Sequence, residues 1–215
     1  MPGGIRELRV LAVCTGKAEV RPGNRMKTGI NKRPTRHSPL VGCEGLEGDA
    51  VCNRKHHGGP DQAIYIEGDV SRAWWEKKLN RSIAYGLFGE NLCLEGLDNQ
   101  VVAAGDRFTT GDLVMEVTAP RMPCRILCER MDDPCFSKMY INAARPGFYC
   151  RIIKPGRIAA GALVRYEAFA GERILMPEMM VHYGKKASPD LIERYRSVPV
   201  HYKLRASLSD GVIKF

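Results

Sequence analysis

Residues 148–169 read FYCRIIKPGRIAAGALVRYEAF, and this segment is the most informative about the fold. It holds two short apolar or alternating runs, joined by a turn that contains glycine and proline. Alternation with a period of two, bounded by such turn residues, is typical of half-buried β-strands. The segment therefore predicts two consecutive short strands.

The same pattern extends back to about residue 9. The runs RVLAVCTG, QAIYI, NLCLEG and VMEVT are each bounded by Gly, Pro, Asp or Asn. Many short strands with glycine-rich turns favour a closed barrel or a sandwich over alternating βαβ units. One helix is predicted at 71–79, because Trp74, Trp75 and Leu79 share a face. The fold class is therefore mainly β.

Beyond Gly171 the pattern becomes helical. PEMMVHYGKK begins with a proline, SPDLIERYRSV opens on Ser-Pro-Asp, and VHYKLRASLSDG closes on glycine. We predict a main domain over 1–170 and a three-helix extension over 171–215. Helices this short bury little surface alone, so we expect them to dock on the barrel or on a partner.

Composition excludes several classes of protein. The 215 residues are 44% hydrophobic, which excludes long disorder, collagen and coiled coil. No run approaches the roughly 18 apolar residues of a membrane span, and the first residues lack a signal-peptide pattern, so we expect a cytoplasmic protein. The eight cysteines are irregularly spaced, which predicts mostly free thiols.

The net charge of +9 is concentrated near the start of the chain. Residues 17–36 alone carry +6. Such a basic loop can bind nucleic acid or a phosphorylated small molecule, or can simply be solvated surface. Nucleic acid is the weaker choice, because no zinc-finger, RRM or helix-turn-helix pattern is present.

Two glycine-containing motifs could bind a ligand. In HHGGPDQAIYI, paired glycines would let backbone amides approach a ligand, and His57 and Asp61 offer a proton donor and a base. In GLFGENL, Glu90 and Asn91 stand at a junction between a loop and a strand. Each motif is equally compatible with an ordinary tight turn.

A third motif, APRMPCRILC, places Cys124 between two arginines and after two prolines. This setting favours an accessible thiolate, which could be a nucleophile, a sulfur carrier or a soft metal ligand. A buried structural cysteine is the alternative. Structural zinc is disfavoured, because Cys124 and Cys128 form a pair with no second pair of matching spacing.

Together these motifs resemble the MOSC domain, named from the C-terminal domain of molybdenum cofactor sulfurases, and within it the bacterial YiiM-type branch. The resemblance spans about residues 16–169, and the tail resembles the helical extension of that branch. The matching motifs are TGINKRP (28–34), GLEGD (45–49), HHGGPDQAIY (56–65), GLFGENL (86–92), GDRF (105–108), PRMPC (120–124) and GFYCRI (147–152).

The resemblance implies a fold, a cofactor and an activity. It implies a β-barrel of the pyruvate kinase type and a molybdenum cofactor, a pterin whose dithiolene holds the metal. Cys124 would ligate molybdenum, and the protein would detoxify N-hydroxylated bases such as 6-hydroxylaminopurine by reducing them. The alternative is a sulfur carrier or cofactor-handling protein with a persulfide on Cys124. The family is also associated with pyridoxal phosphate binding.

The resemblance implies the role of Cys124, and for the other residues we hypothesise roles from their chemistry and their place in the motifs. Cys124, His57 and Asp61 are the expected catalytic residues, and either His57 or Asp61 would supply a proton. The expected cofactor-binding residues are Lys27, Thr28, Lys32, Arg33, Gly58, Gly59, Glu90, Asn91 and Arg121. This chain departs from the family at Ala18, where proline is common, and at Cys52, where acidic or small residues are usual.

Partners are expected from the same resemblance. The chain lacks flavin, haem and iron–sulfur signatures, so a separate flavin or iron–sulfur reductase would supply electrons. The other expected partner is an N-hydroxylated purine or similar small molecule, with neither nucleic acid nor a membrane. Whether the chain forms a homodimer is left open.

Overall fold

The computed structural model describes residues 5–20, 26–54 and 57–215. The strands within these ranges are β1 (Arg6–Thr15), β2 (Glu19–Val20), β3 (Lys27–Thr28), β4 (Arg33–Pro34), β5 (Leu40–Gly42), β6 (Gly45–Leu46), β7 (Ile64–Gly68), β8 (Leu92–Glu95), β9 (Arg107–Thr110), β10 (Leu113–Pro120), β11 (Phe148–Lys154), β12 (Gly156–Arg157) and β13 (Leu163–Glu167). The α-helices are α1 (Asp69–Leu79), α2 (Arg125–Met131), α3 (Phe136–Ala143), α4 (Met176–His182), α5 (Pro189–Arg196) and α6 (Tyr202–Ser207).

In the described part of the chain, seven strands form a closed barrel in the order β13-β9-β10-β11-β7-β8-β1, and β1 pairs with β13 to close it. All of these pairs are antiparallel except β7 with β8. A parallel pair needs a crossover connection, and α1 provides it. The prediction of a mainly β fold with a closed barrel is confirmed.

Successive side chains of β7 point alternately into two different hydrophobic clusters. Ile64 and Ile66 point into the barrel and join its main hydrophobic core. Tyr65 points outward into a second cluster, where Trp75 of α1 stacks on Tyr140 of α3 with ring centroids 5.4 Å apart. The barrel thus presents an outer face, covered by helices, on which the candidate site is built.

The prediction of a single helix before residue 171 is wrong, because α2 and α3 also form. Prolines at 123 and 134 and the short length of each helix weaken the periodic signal. Tertiary packing stabilises both helices, since Leu127, Phe136 and Tyr140 are fully buried against Trp75 and its neighbours.

The tail forms three α-helices, as predicted, and they pack on the barrel. Met176, Tyr195 and Leu204, one from each helix, belong to the main core. A buried carboxylate strengthens this attachment, because Asp106 accepts hydrogen bonds from the Phe169 amide at 2.8 Å and from the Arg173 guanidinium. The extension therefore shares one hydrophobic core with the barrel.

All eight cysteines are free thiols. Cys14, Cys93, Cys128 and Cys150 are buried, whereas Cys43, Cys52 and Cys135 are exposed and Cys124 is half-buried. No helix in the described ranges combines the length and the apolar character needed to cross a membrane.

Candidate functional site

A cleft opens on the outer face of the barrel. Its walls come from distant parts of the sequence, namely the β3 region, the segment before β7, the loop before β8, the junction of β10 with α2, and β11. Its lining includes Lys27, Thr28, Lys32, Asp49, Val51, Cys52, His57, Gly58, Gln62, Tyr65, Asn91, Arg121, Cys124 and Tyr149.

Cys124 lies at the cleft, at the residue immediately before α2. Burial raises the pKa of its thiol, but a hydrogen bond with the His57 side chain and the charge of Arg121 outweigh burial and lower the pKa to about 6. Arg121 Nη2 lies 3.9 Å from Cys124 Sγ. The thiol is therefore mostly thiolate at neutral pH, as a nucleophile or soft ligand must be.

Arg121 forms part of the cleft floor and is only 4% exposed. Its backbone amide donates to Gly147 O at 2.8 Å, and its Nη1 donates to the Met122 carbonyl. Its Nε is buried and has no hydrogen-bond partner within the described ranges. A buried, unpaired donor of this kind is expected where a ligand completes the site.

Asp49 joins three of the elements around the cleft. One carboxylate oxygen accepts from the Gly16 amide at 2.8 Å. The other accepts from Lys32 Nζ and, at 2.9 Å, from Asn91 Nδ2. Lys32 is only 8% exposed, so its charge is balanced inside the protein by Asp49. Asp49 closes the GLEGD motif, but it was not among the predicted site residues.

Asn91 lines the cleft, yet its side chain is occupied by the protein itself. Its Oδ1 accepts from the Tyr65 amide at 3.1 Å, and its Nδ2 also reaches Cys14 O at 3.3 Å. Asn91 therefore fixes the loop before β8 against β1 and β7. Tyr65 and Tyr149, with ring centroids 5.5 Å apart, form an aromatic wall; both lie within the quoted motifs, but neither was a predicted site residue.

The structure brings Lys27, Thr28, His57 and Gly58 to the cleft, together with the residues above. Lys27 is exposed. Thr28 is buried, and its hydroxyl accepts from the Ile30 amide at 3.2 Å. His56, Arg21 and Arg25, which belong to the predicted HHGG motif and basic loop, lie outside the described residues.

Asp61 does not line the cleft, which corrects its predicted role as a proton donor. Its side chain is buried, with one oxygen accepting from Arg151 Nε at 2.9 Å and the other from the Tyr202 amide at 2.6 Å. Both oxygens are thus used to hold the barrel and α6 together. Its neighbour Gln62 lines the cleft instead.

Three other predicted cofactor-binding residues also lie outside the cleft lining. Arg33 is exposed on β4, and Gly59 precedes the 3₁₀ turn Pro60–Gln62. Glu90 is buried and accepts from the Gly86 amide. Burial raises the pKa of Glu90 to about 7.

Cys128 takes no part in the cleft. Its Sγ lies 2.8 Å from Ser137 Oγ, on the side of α2 that faces α3. Within the described ranges, no group of three or more His, Cys, Asp or Glu side chains could hold a metal ion.

Comparison with known proteins places these features in a family. The sequence profile of the MOSC domain matches residues 53–165, more than half of the chain. The chain belongs to the MOSC domain family. This MOSC protein is 33% identical over 155 residues to the uncharacterised protein YflK of Bacillus subtilis, a match that covers 71% of this chain and 70% of YflK.

Two further relatives carry more informative names. Protein YiiM of Escherichia coli is 30% identical over 153 residues, which cover 70% of the MOSC protein and 68% of YiiM. A protein of Gibberella moniliformis named reductase is 29% identical over 166 residues, covering 74% of this chain but 28% of that longer protein. The crystal structure of YiiM from Geobacillus stearothermophilus superposes with a TM-score of 0.77 at 25% identity, covering 95% of this chain and 98% of that one. The fold is that of YiiM-type MOSC proteins.

Proposed function

We propose that this MOSC protein is a molybdenum-cofactor-dependent reductase of N-hydroxylated compounds, in the class of 6-hydroxylaminopurine, with Cys124 as the protein ligand of the metal. The observation that carries the proposal is the position of Cys124 in the cleft, where its thiol is hydrogen-bonded to the His57 side chain and lies 3.9 Å from Arg121 Nη2. The reductase name of one relative supports the oxidoreductase class.

The residues of the cleft fit such a cofactor. A thiolate is a soft ligand suited to a metal already held by dithiolene sulfur. The unpaired Nε of Arg121 offers a hydrogen bond, and the exposed Lys27 offers a positive charge for a phosphate. When bound, the cofactor would supply a two-electron metal centre able to take an oxygen atom from an N–O bond.

Gly58 is a position in the cleft wall that requires glycine. Its φ is +77°, a region that favours glycine, and an added Cβ would lie 2.8 Å from the Val51 side chain. Lys32, in contrast, would contribute little net charge, because Asp49 neutralises it.

His57 is the residue placed to handle protons. Its imidazole is hydrogen-bonded to Cys124 and lines the cleft, so it can hold a proton beside the sulfur and give it to the oxygen that leaves the substrate nitrogen. Reduction of R–NHOH to R–NH₂ and water consumes two electrons and two protons. The electrons would come from a separate flavin or iron–sulfur reductase.

Metal content and turnover test the proposal together. Protein purified from a host that makes the cofactor should contain equimolar molybdenum and reduce 6-hydroxylaminopurine with a chemical or protein electron donor. Cys124→Ala should lose turnover, whereas Cys135→Ala, at an exposed cysteine outside the cleft, should not. Cyanide-releasable sulfur on Cys124 without turnover would favour the sulfur-carrier alternative, and full activity in Cys124→Ala would refute the ligand assignment.

A further inference from the structure

Gln62 presents an unsatisfied acceptor at the cleft. It ends the turn Pro60–Gln62, one residue short of the start of β7, and its backbone amide donates to Gly59 O at 2.9 Å, which fixes the turn. Gln62 lines the cleft, and its Oε1 is buried without a hydrogen-bond partner among the residues that the structure describes. Buried amide oxygens are nearly always paired, so this one is an exception that needs an explanation.

A second unsatisfied group lines the same cleft. Arg121 Nε is a buried donor without a partner in the described part of the chain, and the Tyr65–Tyr149 wall stands beside it. Tyr65 lies close to Arg121, whose Cζ is 6.0 Å from the tyrosine ring centroid. The cleft thus offers one acceptor, one donor and aromatic surface. A flat, nitrogen-rich ligand with an N–H donor and a nearby acceptor matches that set.

We infer that Gln62 is a specificity-determining residue, whose Oε1 accepts a hydrogen bond from an N–H group of the ligand bound in the cleft. The inference rests on the proposed function for the identity of the ligand. Two sources share this chemistry, namely the amino group of an N-hydroxylated amidine or base, and the aminopyrimidine edge of the pterin. A site built around such an acceptor discriminates against analogues that lack the N–H, because they leave the acceptor unpaired.

Binding calorimetry on the purified holoprotein tests this with two probes. Benzamidoxime carries an NH₂ group next to the N–OH, and benzaldehyde oxime carries hydrogen at that position. Gln62→Leu should weaken benzamidoxime binding about tenfold, the typical effect of one hydrogen bond, and should leave the binding of benzaldehyde oxime unchanged. Gln62→Glu retains an acceptor and should stay close to wild type.

The matched control is Gln100→Leu, because Gln100 is also half-buried but bonds to Ala144 O outside the cleft. Thermal melting of each variant shows that it has folded. Pterin content separates the two sources, since a Gln62→Leu protein that loses pterin assigns the N–H to the cofactor, and one that loses only benzamidoxime affinity assigns it to the substrate.

The inference fails if Gln62→Leu folds and keeps both its pterin content and its benzamidoxime affinity, or if Gln62→Glu weakens binding as much as Gln62→Leu. Wild-type protein that holds no pterin and binds neither probe overturns it as well. Absence of turnover alone would overturn the reductase proposal and leave the Gln62 result standing, because neither measurement depends on catalysis.

Discussion

Replacing His57 with alanine should raise the pKa of the Cys124 thiol. Burial acts to raise that pKa, yet it stands at about 6 against an ordinary value of 9.0, mainly because of the His57 hydrogen bond and then the Arg121 charge. At about 1.4 kcal/mol per pH unit, this preference for the thiolate corresponds to about 4 kcal/mol. The His57 hydrogen bond is the larger of the two effects that lower the pKa, so its loss should raise the pKa of Cys124 by about 1 to 2 pH units.

The assay is the pH dependence of alkylation. The rate at which iodoacetamide modifies Cys124 in metal-free protein, followed by peptide mass spectrometry, rises with the thiolate fraction, so its midpoint reports the pKa. His57→Ala should move the midpoint upward, and His37→Ala, at an exposed histidine outside the cleft, should leave it near 6. Equal midpoints in wild type and His57→Ala would refute the argument that His57 stabilises the thiolate.

The same group affects stability with a definite sign. A thiol whose pKa is lower in the folded than in the unfolded state stabilises the fold fully above pH 9 and loses that contribution as pH falls toward 6. The unfolding free energy of metal-free wild type, measured relative to that of Cys124→Ala, should therefore decrease as the pH is lowered from 9 to 6. A constant difference would contradict the lowered pKa.

Three other outcomes follow from buried groups. Asp49→Asn should leave Lys32 as an unpaired buried charge. Urea titration should then show an unfolding free energy lower by about 3–5 kcal/mol. A loss below about 1 kcal/mol, which is typical of an exposed ion pair, would contradict burial of the pair. Trp75→Ala should lower the unfolding free energy by about 3–5 kcal/mol, because the Trp75 ring is fully buried. Trp74 is half-buried, so Trp74→Ala is the control and should lower the unfolding free energy less in the same titration. Burial raises the pKa of Glu67 to about 8, so folding should become less favourable as pH rises from about 4.5 to 8. Glu67→Gln should remove that pH dependence of the unfolding free energy in unfolding curves measured at several pH values. The same pH dependence in wild type and Glu67→Gln would refute this prediction.

The barrel could be predicted from sequence because its information is local. Alternating runs such as LVRYE and FYCRII keep one face in the core, and glycine-rich joins mark where each strand ends. Helices α2 and α3 escaped prediction because their stability comes from distant partners, such as Trp75 stacking on Tyr140. Propensity and periodicity over seven or eight residues cannot report such contacts.

For the candidate site too, sequence indicates the residues whose contacts are local and misses the roles that depend on distant partners. Cys124 was singled out by its neighbours in sequence, and its contact with Arg121 is likewise local. The roles of Asp49 and Asp61 depend on partners far along the chain, since Asp61 binds the amide of Tyr202, 141 positions later. Gln62 lies inside the HHGGPDQAIY motif but was not among the predicted site residues, and only the packed structure shows that its amide oxygen lies unsatisfied at the cleft.

The hydrogen bonds of Asp61 connect the tail to the turn that carries Gln62. Asp61 precedes Gln62 in the same short turn, and it is anchored on one side by Tyr202 at the start of α6 and on the other by Arg151, which also reaches Val200 O. The C-terminal segment therefore helps to position the side chain of Gln62, which belongs to a different part of the sequence. Exchanging this tail for another, with every cleft residue left intact, would be a way to alter which compounds the protein accepts.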